Sequence, residues 1–140
     1  ELTGKKEPQD GLQGKFSVYH GCAVGLIFGR AGEEEFSDHI VTREDVVALR
    51  RKVQAVVDTS VREESVIVTA TLTDGRVIPV QVEHAIGSLH RPMSDAQLEA
   101  KFMALSEPVL GATQSRRAIE ASWALGSAAS LTALLHSLKP

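Results

Sequence analysis

Apolar residues form a few separate segments along this chain, and the first two predict helices. Residues 16–28, FSVYHGCAVGLIF, are apolar on nearly all sides, which is typical of a buried helix. Gly29 and Gly32 follow this segment and are expected to end the helix, because glycine is common just after the last helical residue. After an acidic run, EEE at 33–35, we predict a second helix with Thr42 as its N-cap, because acidic residues fill the first turn and basic residues the last. The acidic run itself is expected to be a solvated turn.

The middle of the chain predicts a β-hairpin over 66–83. VIVTATLT (66–73) alternates apolar and polar residues, Asp74-Gly75 follows, and RVIPVQVEH continues in a similar pattern. Asp-Gly between two such runs is a strong hairpin signal. Pro79 has no N–H, so the second strand should lie at an edge or expose that position. A shorter run, VQAVVD at 53–58, also favours a strand.

The last third of the chain predicts two helices. Ser94 and Gln97 form a capping box at the start of the first, and Pro108 is expected to end it. A last helix, about 115–138, carries large apolar side chains and a middle of small residues, ALGSAAS. We expect a helix of this kind, at the end of a small domain, to pack on something larger.

These elements predict an α+β fold, with a small, mostly antiparallel sheet that contains the hairpin and is covered by helices. We divide the chain into an N-terminal loop (1–14), an α+β domain (15–111) and a C-terminal apolar helix (112–140). The start of the chain has neither an initiator methionine nor the apolar stretch of a signal peptide. We therefore expect a piece of a longer protein or a processed product.

Composition excludes several classes of protein. The 140 residues carry a formal net charge of −3, so there is no basic footprint for nucleic acid. No apolar run has the length that a membrane span needs. The lone cysteine, Cys22, cannot form an internal disulfide, so we expect a reducing compartment, the cytoplasm.

The most specific candidate chemistry is the pair Lys15 and His20. The sequence has no CxxC, HExxH or phosphate-loop motif, and its five histidines lack metal-ligand spacing. On a regular helix the two side chains would lie about 140° apart, but they converge if Lys15 lies in the loop before the helix. In one cavity each would depress the other's pKa and attract an anion. The alternative is a surface lysine beside a buried, hydrogen-bonded histidine.

A second candidate is the loop GSLHRPMS at 87–94. His90 and Arg91 stand between a glycine and a proline, which predicts a rigid, exposed turn. Arginine is the usual partner of a carboxylate. The alternative is a solvated loop that precedes a helix.

The order of these segments resembles the C-terminal part of the MmgE/PrpD family over residues 12–111. KFSVYHGCAVGLIFGR, an acidic linker, the Asp-Gly hairpin and GSLHRPMSDAQLEAKF carry the resemblance. The family includes 2-methylcitrate dehydratase, cis-aconitate decarboxylase and iminodisuccinate epimerase. The resemblance implies a large helical N-terminal domain, a smaller α+β lid that corresponds to residues 15–111, and a homodimer. The last helix would then return to the helical domain.

The resemblance also implies an active site between the two domains that uses neither a metal nor an organic cofactor. Its Lys-x4-His motif corresponds to Lys15 and His20, while the other acid and base groups belong to the helical domain. We predict Ser17, His90 and Arg91 as substrate-binding residues. The last two occupy the variable middle of the family's Gly-x-x-x-x-Pro-Met-Ser loop.

The chain is therefore predicted to be the C-terminal part of a cofactor-independent dehydratase, decarboxylase or epimerase. It would act on a small di- or tricarboxylate by proton abstraction next to a carboxylate, and alone it would be inactive. One alternative is a non-catalytic α+β module that dimerises or binds a partner. Another is a degenerate family member that keeps the fold without activity.

Overall fold

A computed structural model describes residues 3–139. The chain forms two compact units, one that ends at Val57 and one that begins at Asp58. The first two residues of the predicted loop 1–14 and the last residue of the predicted helix 112–140 lie outside the described residues. Among residues 3–139, no helix combines the length and the apolar character that a membrane crossing requires.

The first unit is helical. Its elements are α1 (Gly11–Lys15), α2 (Val18–Phe28), a 3₁₀ turn (Glu34–Phe36), α3 (Asp38–Val41) and α4 (Glu44–Arg50). The expected loop through residue 14 is wrong at its end, because α1 begins at Gly11. The Asp10 side chain accepts a hydrogen bond from the Gln13 backbone N–H at 2.8 Å, and this N-cap lets so short a helix form.

Helix α2 supplies two of the four residues in the buried apolar cluster of the first unit. It ends at Gly29, which has a left-handed φ of 68°, as glycine at this position predicts. Ala23 and Val24 pack with Ile40 and Val46 in a buried cluster. Leu26, however, is 60% exposed, so α2 is buried on one side only, and its exposed apolar side is available for contact with another surface.

The predicted helix after Thr42 forms as α4, and a short helix that was not predicted, α3, precedes it. Thr42 does not cap α4; it ends α3, and its hydroxyl donates to the Asp38 backbone carbonyl at 2.8 Å. The predicted strand at 53–58 does not form, and these residues follow α4 as an irregular segment. A β-favouring run needs a partner strand to satisfy its backbone groups, and none pairs with it among residues 3–139.

The second unit contains the predicted hairpin, so the α+β class is confirmed. Strands β1 (Val66–Thr71) and β2 (Val77–Val82) pair antiparallel, with Val66 opposite Val82 and Thr69 opposite Pro79. Gly75 has φ of 84° in the turn, a value that glycine adopts at little cost. In a sheet of two strands both strands are edges, which explains why Pro79 is tolerated.

The strands of the hairpin are largely exposed. Only Ala70 in β1 and Val82 in β2 are half-buried. The helices of the same unit therefore do not cover the sheet as expected. Isolated two-stranded hairpins are marginal in water, so these apolar strands are suited to contact with a further surface.

Three helices complete the second unit: α5 (Asp95–Leu110), α6 (Ala112–Trp123) and, after a 3₁₀ turn at Ala124–Ser127, α7 (Thr132–Ser137). The capping box of Ser94 and Gln97 is confirmed. Pro108 lies inside α5 instead of ending it. The predicted continuous helix at 115–138 is interrupted at 124–131, where one glycine and two serines lower helix propensity.

Candidate functional site

Lys15 is the last residue of α1, and its ammonium group lies at the surface. Its Nζ is 2.8 Å and 3.0 Å from the two carboxylate oxygens of Glu33. The Lys15 and Glu33 side chains are 44% and 64% exposed. An ion pair this exposed contributes about 0–1 kcal/mol, so another carboxylate can replace Glu33 at little cost.

His20 lies near the start of α2 and has no exposed surface. Its Nε2 is 2.8 Å from the backbone carbonyl oxygen of Glu35, and the Phe36 ring lies edge-on at a centroid distance of 5.2 Å. A carbonyl oxygen only accepts hydrogen bonds, so Nε2 carries the proton and Nδ1 carries the lone pair. Within residues 3–139, the buried Nδ1 makes no hydrogen bond.

The surroundings of His20 favour its neutral form. Burial lowers the pKa of the imidazole, and the positive charge of Arg50 lowers it further, while the hydrogen bond to the Glu35 carbonyl raises it; the net shift is downward from 6.5. Removal of a charged group from water is the dominant cause. His20 is therefore a neutral imidazole at pH 7.

Arg50 is the buried cation that acts on His20. Its side chain is 2% exposed, and its Nη1 donates to the Val41 backbone carbonyl at 2.9 Å. Its Nη2 lies 3.6 Å from the Glu7 carboxylate. Burial lowers the pKa of this guanidinium, and Glu7 opposes that shift. Arg50 thus links α4 to the N-terminal segment through its contact with Glu7, and it places a positive charge beside the buried cluster.

The acidic run at 33–35 is only partly solvated, so the expectation of a solvated turn is wrong for Glu35. The Glu35 side chain is 4% exposed. Its carboxylate accepts from Arg30 Nε at 2.7 Å and from the Gly32 N–H at 2.8 Å. Burial raises its pKa, but the hydrogen bonds from Arg30 and Gly32 outweigh burial and lower it. A run of three identical residues carries no local signal of which one is buried.

Lys15 and His20 contact the same turn through different atoms. Lys15 binds the side chain of Glu33, and His20 binds the backbone of Glu35. One group is exposed and the other is covered. Their joint action on a substrate stays a prediction, and in this conformation only the lysine is open to one.

Ser17 has a structural contact in the same region. Its hydroxyl accepts a hydrogen bond from the His20 backbone N–H at 3.1 Å, which makes Ser17 the N-cap of α2. The side chain is buried. An N-cap typically contributes about 1 kcal/mol of stability, so this contact is a sufficient structural reason for a serine at position 17. A substrate-binding role for Ser17 stays a prediction.

His90 and Arg91 lie in the second unit, in a tight exposed turn. The Gly87 N–H donates to the Arg91 carbonyl at 2.8 Å, and the Arg91 N–H donates to the Ser88 carbonyl at 3.1 Å. The His90 ring stacks against that of His84 with centroids 4.5 Å apart. The turn is exposed, as predicted, and the role of His90 and Arg91 as substrate-binding residues stays a prediction.

The chemistry available in the first unit follows from these contacts. Lys15 offers a positive charge to an anion, and His20 offers a lone pair only if its Nδ1 becomes uncovered. Burial raises the pKa of the Cys22 thiol, which disfavours a reactive thiolate. Within residues 3–139, no three His, Cys, Asp or Glu side chains gather where they could hold a metal.

Comparison with protein-family models matches residues 1–126 to the MmgE/PrpD C-terminal domain. A comparison with curated proteins finds no match. The matched region contains every predicted site residue, from Lys15 to Arg91. Because it spans most of the 140 residues, the chain belongs to the MmgE/PrpD family, as its C-terminal domain.

Proposed function

We propose that this chain is the C-terminal part of a cofactor-independent dehydratase, decarboxylase or epimerase that acts on a small di- or tricarboxylate. The observation that carries the proposal is the exposed ammonium of Lys15, which is paired with the solvated carboxylate of Glu33. Lys15 belongs to the Lys-x4-His motif that the resemblance to the family implies. The Glu33 carboxylate has the same chemistry as the carboxylate groups of the proposed substrate, so its pairing with this ammonium supports the proposal. A substrate carboxylate would take its place.

The proposed reaction begins with proton abstraction from a carbon beside a carboxylate. The electron pair of the broken C–H bond moves toward the carboxylate, and the developing negative charge needs a cation already in place. Lys15 supplies that charge. In a dehydratase the electron pair then expels a neighbouring hydroxyl group, which takes up a proton and leaves as water. In an epimerase the carbon takes up a proton on its other face. In a decarboxylase the bond to a carboxylate breaks, carbon dioxide leaves without the bonding electrons, and the electron pair that stays on carbon takes up a proton.

His20 would act as a proton acceptor through Nδ1. Its neutral form and its protonated Nε2 leave the Nδ1 lone pair free to accept a proton. The ring is covered in this conformation, so the step requires movement of the 3₁₀ turn that carries Phe36. We propose that the approach of substrate and of the helical domain produces this opening.

The proposed partners are the N-terminal helical domain of the same protein and a second copy of the whole protein, in the cytoplasm. The helical domain would supply the remaining acid and base groups. Apolar side chains line a groove between α5 and α6, namely Leu98, Phe102, Ile119 and Trp123. This groove suits the helical domain as its occupant.

The experiment is a turnover screen of the complete protein that carries this domain. The substrates are 2-methylcitrate, citrate, cis-aconitate and iminodisuccinate. Lys15→Ala and His20→Gln are expected to lower kcat by about 10²–10⁴-fold with unchanged circular dichroism. Lys52→Ala, at an exposed lysine of the same unit, is the matched control and should retain full activity. Near-wild-type kcat in both site variants would refute the assignment.

A second candidate is a non-catalytic module that binds a partner. The exposed hairpin strands and the α5–α6 groove favour it, because large exposed apolar patches mark interaction sites. Inactivity of the complete protein on all four substrates, together with stable self-association or partner binding, would favour this reading over catalysis.

A further inference from the structure

We propose that Glu35 is a positioning residue that sets the tautomer of His20. The catalytic meaning of that tautomer rests on the proposed function, whereas the tautomer itself does not. The proposal joins two buried residues that lie 15 positions apart in the sequence. Glu35 touches no substrate; it would act through the imidazole.

The first step of the argument is the contact between them. The Glu35 carbonyl oxygen lies 2.8 Å from His20 Nε2. With the proton on Nδ1 instead, the Nε2 lone pair would face the carbonyl lone pairs, and a buried N–H would have no acceptor within residues 3–139. Each unsatisfied buried group costs about 1–3 kcal/mol. The Nε2–H tautomer is therefore strongly favoured.

The second step is what holds the Glu35 carbonyl in place. The carboxylate of the same residue is anchored by Arg30 Nε at 2.7 Å and by the Gly32 N–H at 2.8 Å. The 3₁₀ turn adds the bond from the Phe36 N–H to the Glu33 carbonyl at 3.1 Å. The anchored side chain and the turn hydrogen bond together restrain rotation of the Glu35 carbonyl away from the imidazole.

The third step is the consequence for chemistry. A neutral imidazole with the proton on Nε2 keeps its lone pair on Nδ1. Nδ1 is then the only ring atom that can accept a proton or a hydrogen bond. A hydrogen bond from one ring N–H of histidine to a carbonyl or a carboxylate determines which of the two ring nitrogens carries the lone pair.

The test measures the tautomer directly on the 140-residue chain. Histidine labelled with ¹⁵N is observed by long-range nitrogen–hydrogen correlation near neutral pH, and the His20 signals are assigned by their loss in His20→Gln. The wild-type chain is expected to show a protonated Nε2 and an unprotonated Nδ1. In Glu35→Ala the two nitrogen shifts should move toward each other, because both tautomers become populated.

Graded and control variants separate positioning from a general loss of structure. Glu35→Gln keeps an oxygen for the Gly32 N–H but loses the charge that binds Arg30, so a smaller shift is expected. Glu34→Ala is the matched control, because Glu34 is exposed and pairs with His39 on the surface. Its His20 signals should match those of the wild-type chain. If Glu35→Ala does not fold, Glu35→Gln and Arg30→Gln decide the result.

Three results would overturn the proposal: a wild-type His20 with its proton on Nδ1, a charged His20, or unchanged signals in the folded Glu35 variants. Turnover of the complete protein then tests whether the tautomer of His20 matters for catalysis. Glu35→Ala should lower kcat more than it raises KM. If the nitrogen shifts move as expected while His20→Gln retains full activity, Glu35 positions His20 but the proposed role of His20 in catalysis is wrong.

Discussion

The close approach of α1 to the 3₁₀ turn allows a sharp test at Gly11. A Cβ added to Gly11 would lie 2.1 Å from the Phe36 backbone oxygen and 3.2 Å from the Asp38 carboxylate. That carboxylate accepts a hydrogen bond from the Gly11 N–H at 2.7 Å. A backbone oxygen cannot turn aside as a side chain can, so Gly11→Ala must push α1 and the turn apart.

The expected cost is set by three effects of different sign. Overpacking of a well-packed site costs about 1–3 kcal/mol. Weakening a hydrogen bond to a charged group costs up to about 1.5–3 kcal/mol. The lower conformational entropy of alanine in the unfolded chain returns at most about 1 kcal/mol. We therefore expect Gly11→Ala to lower the free energy of unfolding by about 2–4 kcal/mol.

The assay is equilibrium unfolding in urea, followed through NMR signals of the buried methyl groups of Val24 and Val46. With a slope of about 1–3 kcal/mol per molar urea, the midpoint should fall by about 1–2 M. Gly25→Ala in the middle of α2 is the matched control, since its Cβ would meet nothing within 4 Å. It should stabilise the chain by about 0.5–1 kcal/mol. A Gly11→Ala chain as stable as wild type would refute the close approach of α1 to the turn.

Three further predictions concern pH, buried charge and the hairpin. The pKa of His20 in the folded chain lies below 6.5. Between that lowered pKa and pH 6.5, His20 binds more protons in the unfolded chain than in the folded chain. The stability that neutral His20 contributes is therefore full above about pH 6.5 and is lost as the pH falls through the lowered pKa. The urea midpoint of the wild-type chain should fall over the same pH range. In His20→Gln the midpoint should depend less on pH. Glu35→Ala removes the carboxylate that accepts hydrogen bonds from Arg30 and from the Gly32 N–H. It should cost about 1.5–3 kcal/mol in the same urea assay, the range for hydrogen bonds to charged groups, whereas Glu34→Ala should cost less than about 0.5 kcal/mol. Equal effects would contradict the buried contact. Gly75→Ala, at φ of 84°, should cost about 1–2 kcal/mol and speed amide exchange in both strands; unchanged exchange would contradict the left-handed turn.

The elements that could be predicted are those whose signals lie within a few residues of each other. Asp74-Gly75 predicted the hairpin, Gly29 the end of α2, and the pair Ser94 and Gln97 the start of α5. In each case the hydrogen bond or the φ value that defines the feature belongs to neighbouring residues. The interruption of the last helix at 124–131 was missed, because small residues were interpreted as a contact surface for another helix.

The sequence by itself was sufficient for the α+β class, the hairpin and the family, and its motif made Lys15 and His20 the candidate site residues. Only the tertiary structure decided that one of these side chains is exposed and the other covered, because their partners, Glu33 and Glu35, lie 18 and 15 residues away. It also decided which glutamate of the acidic run is buried. A carboxylate enters a protein interior only where donors are already in place, and Arg30 and Gly32 become donors to Glu35 only when the chain folds back on itself.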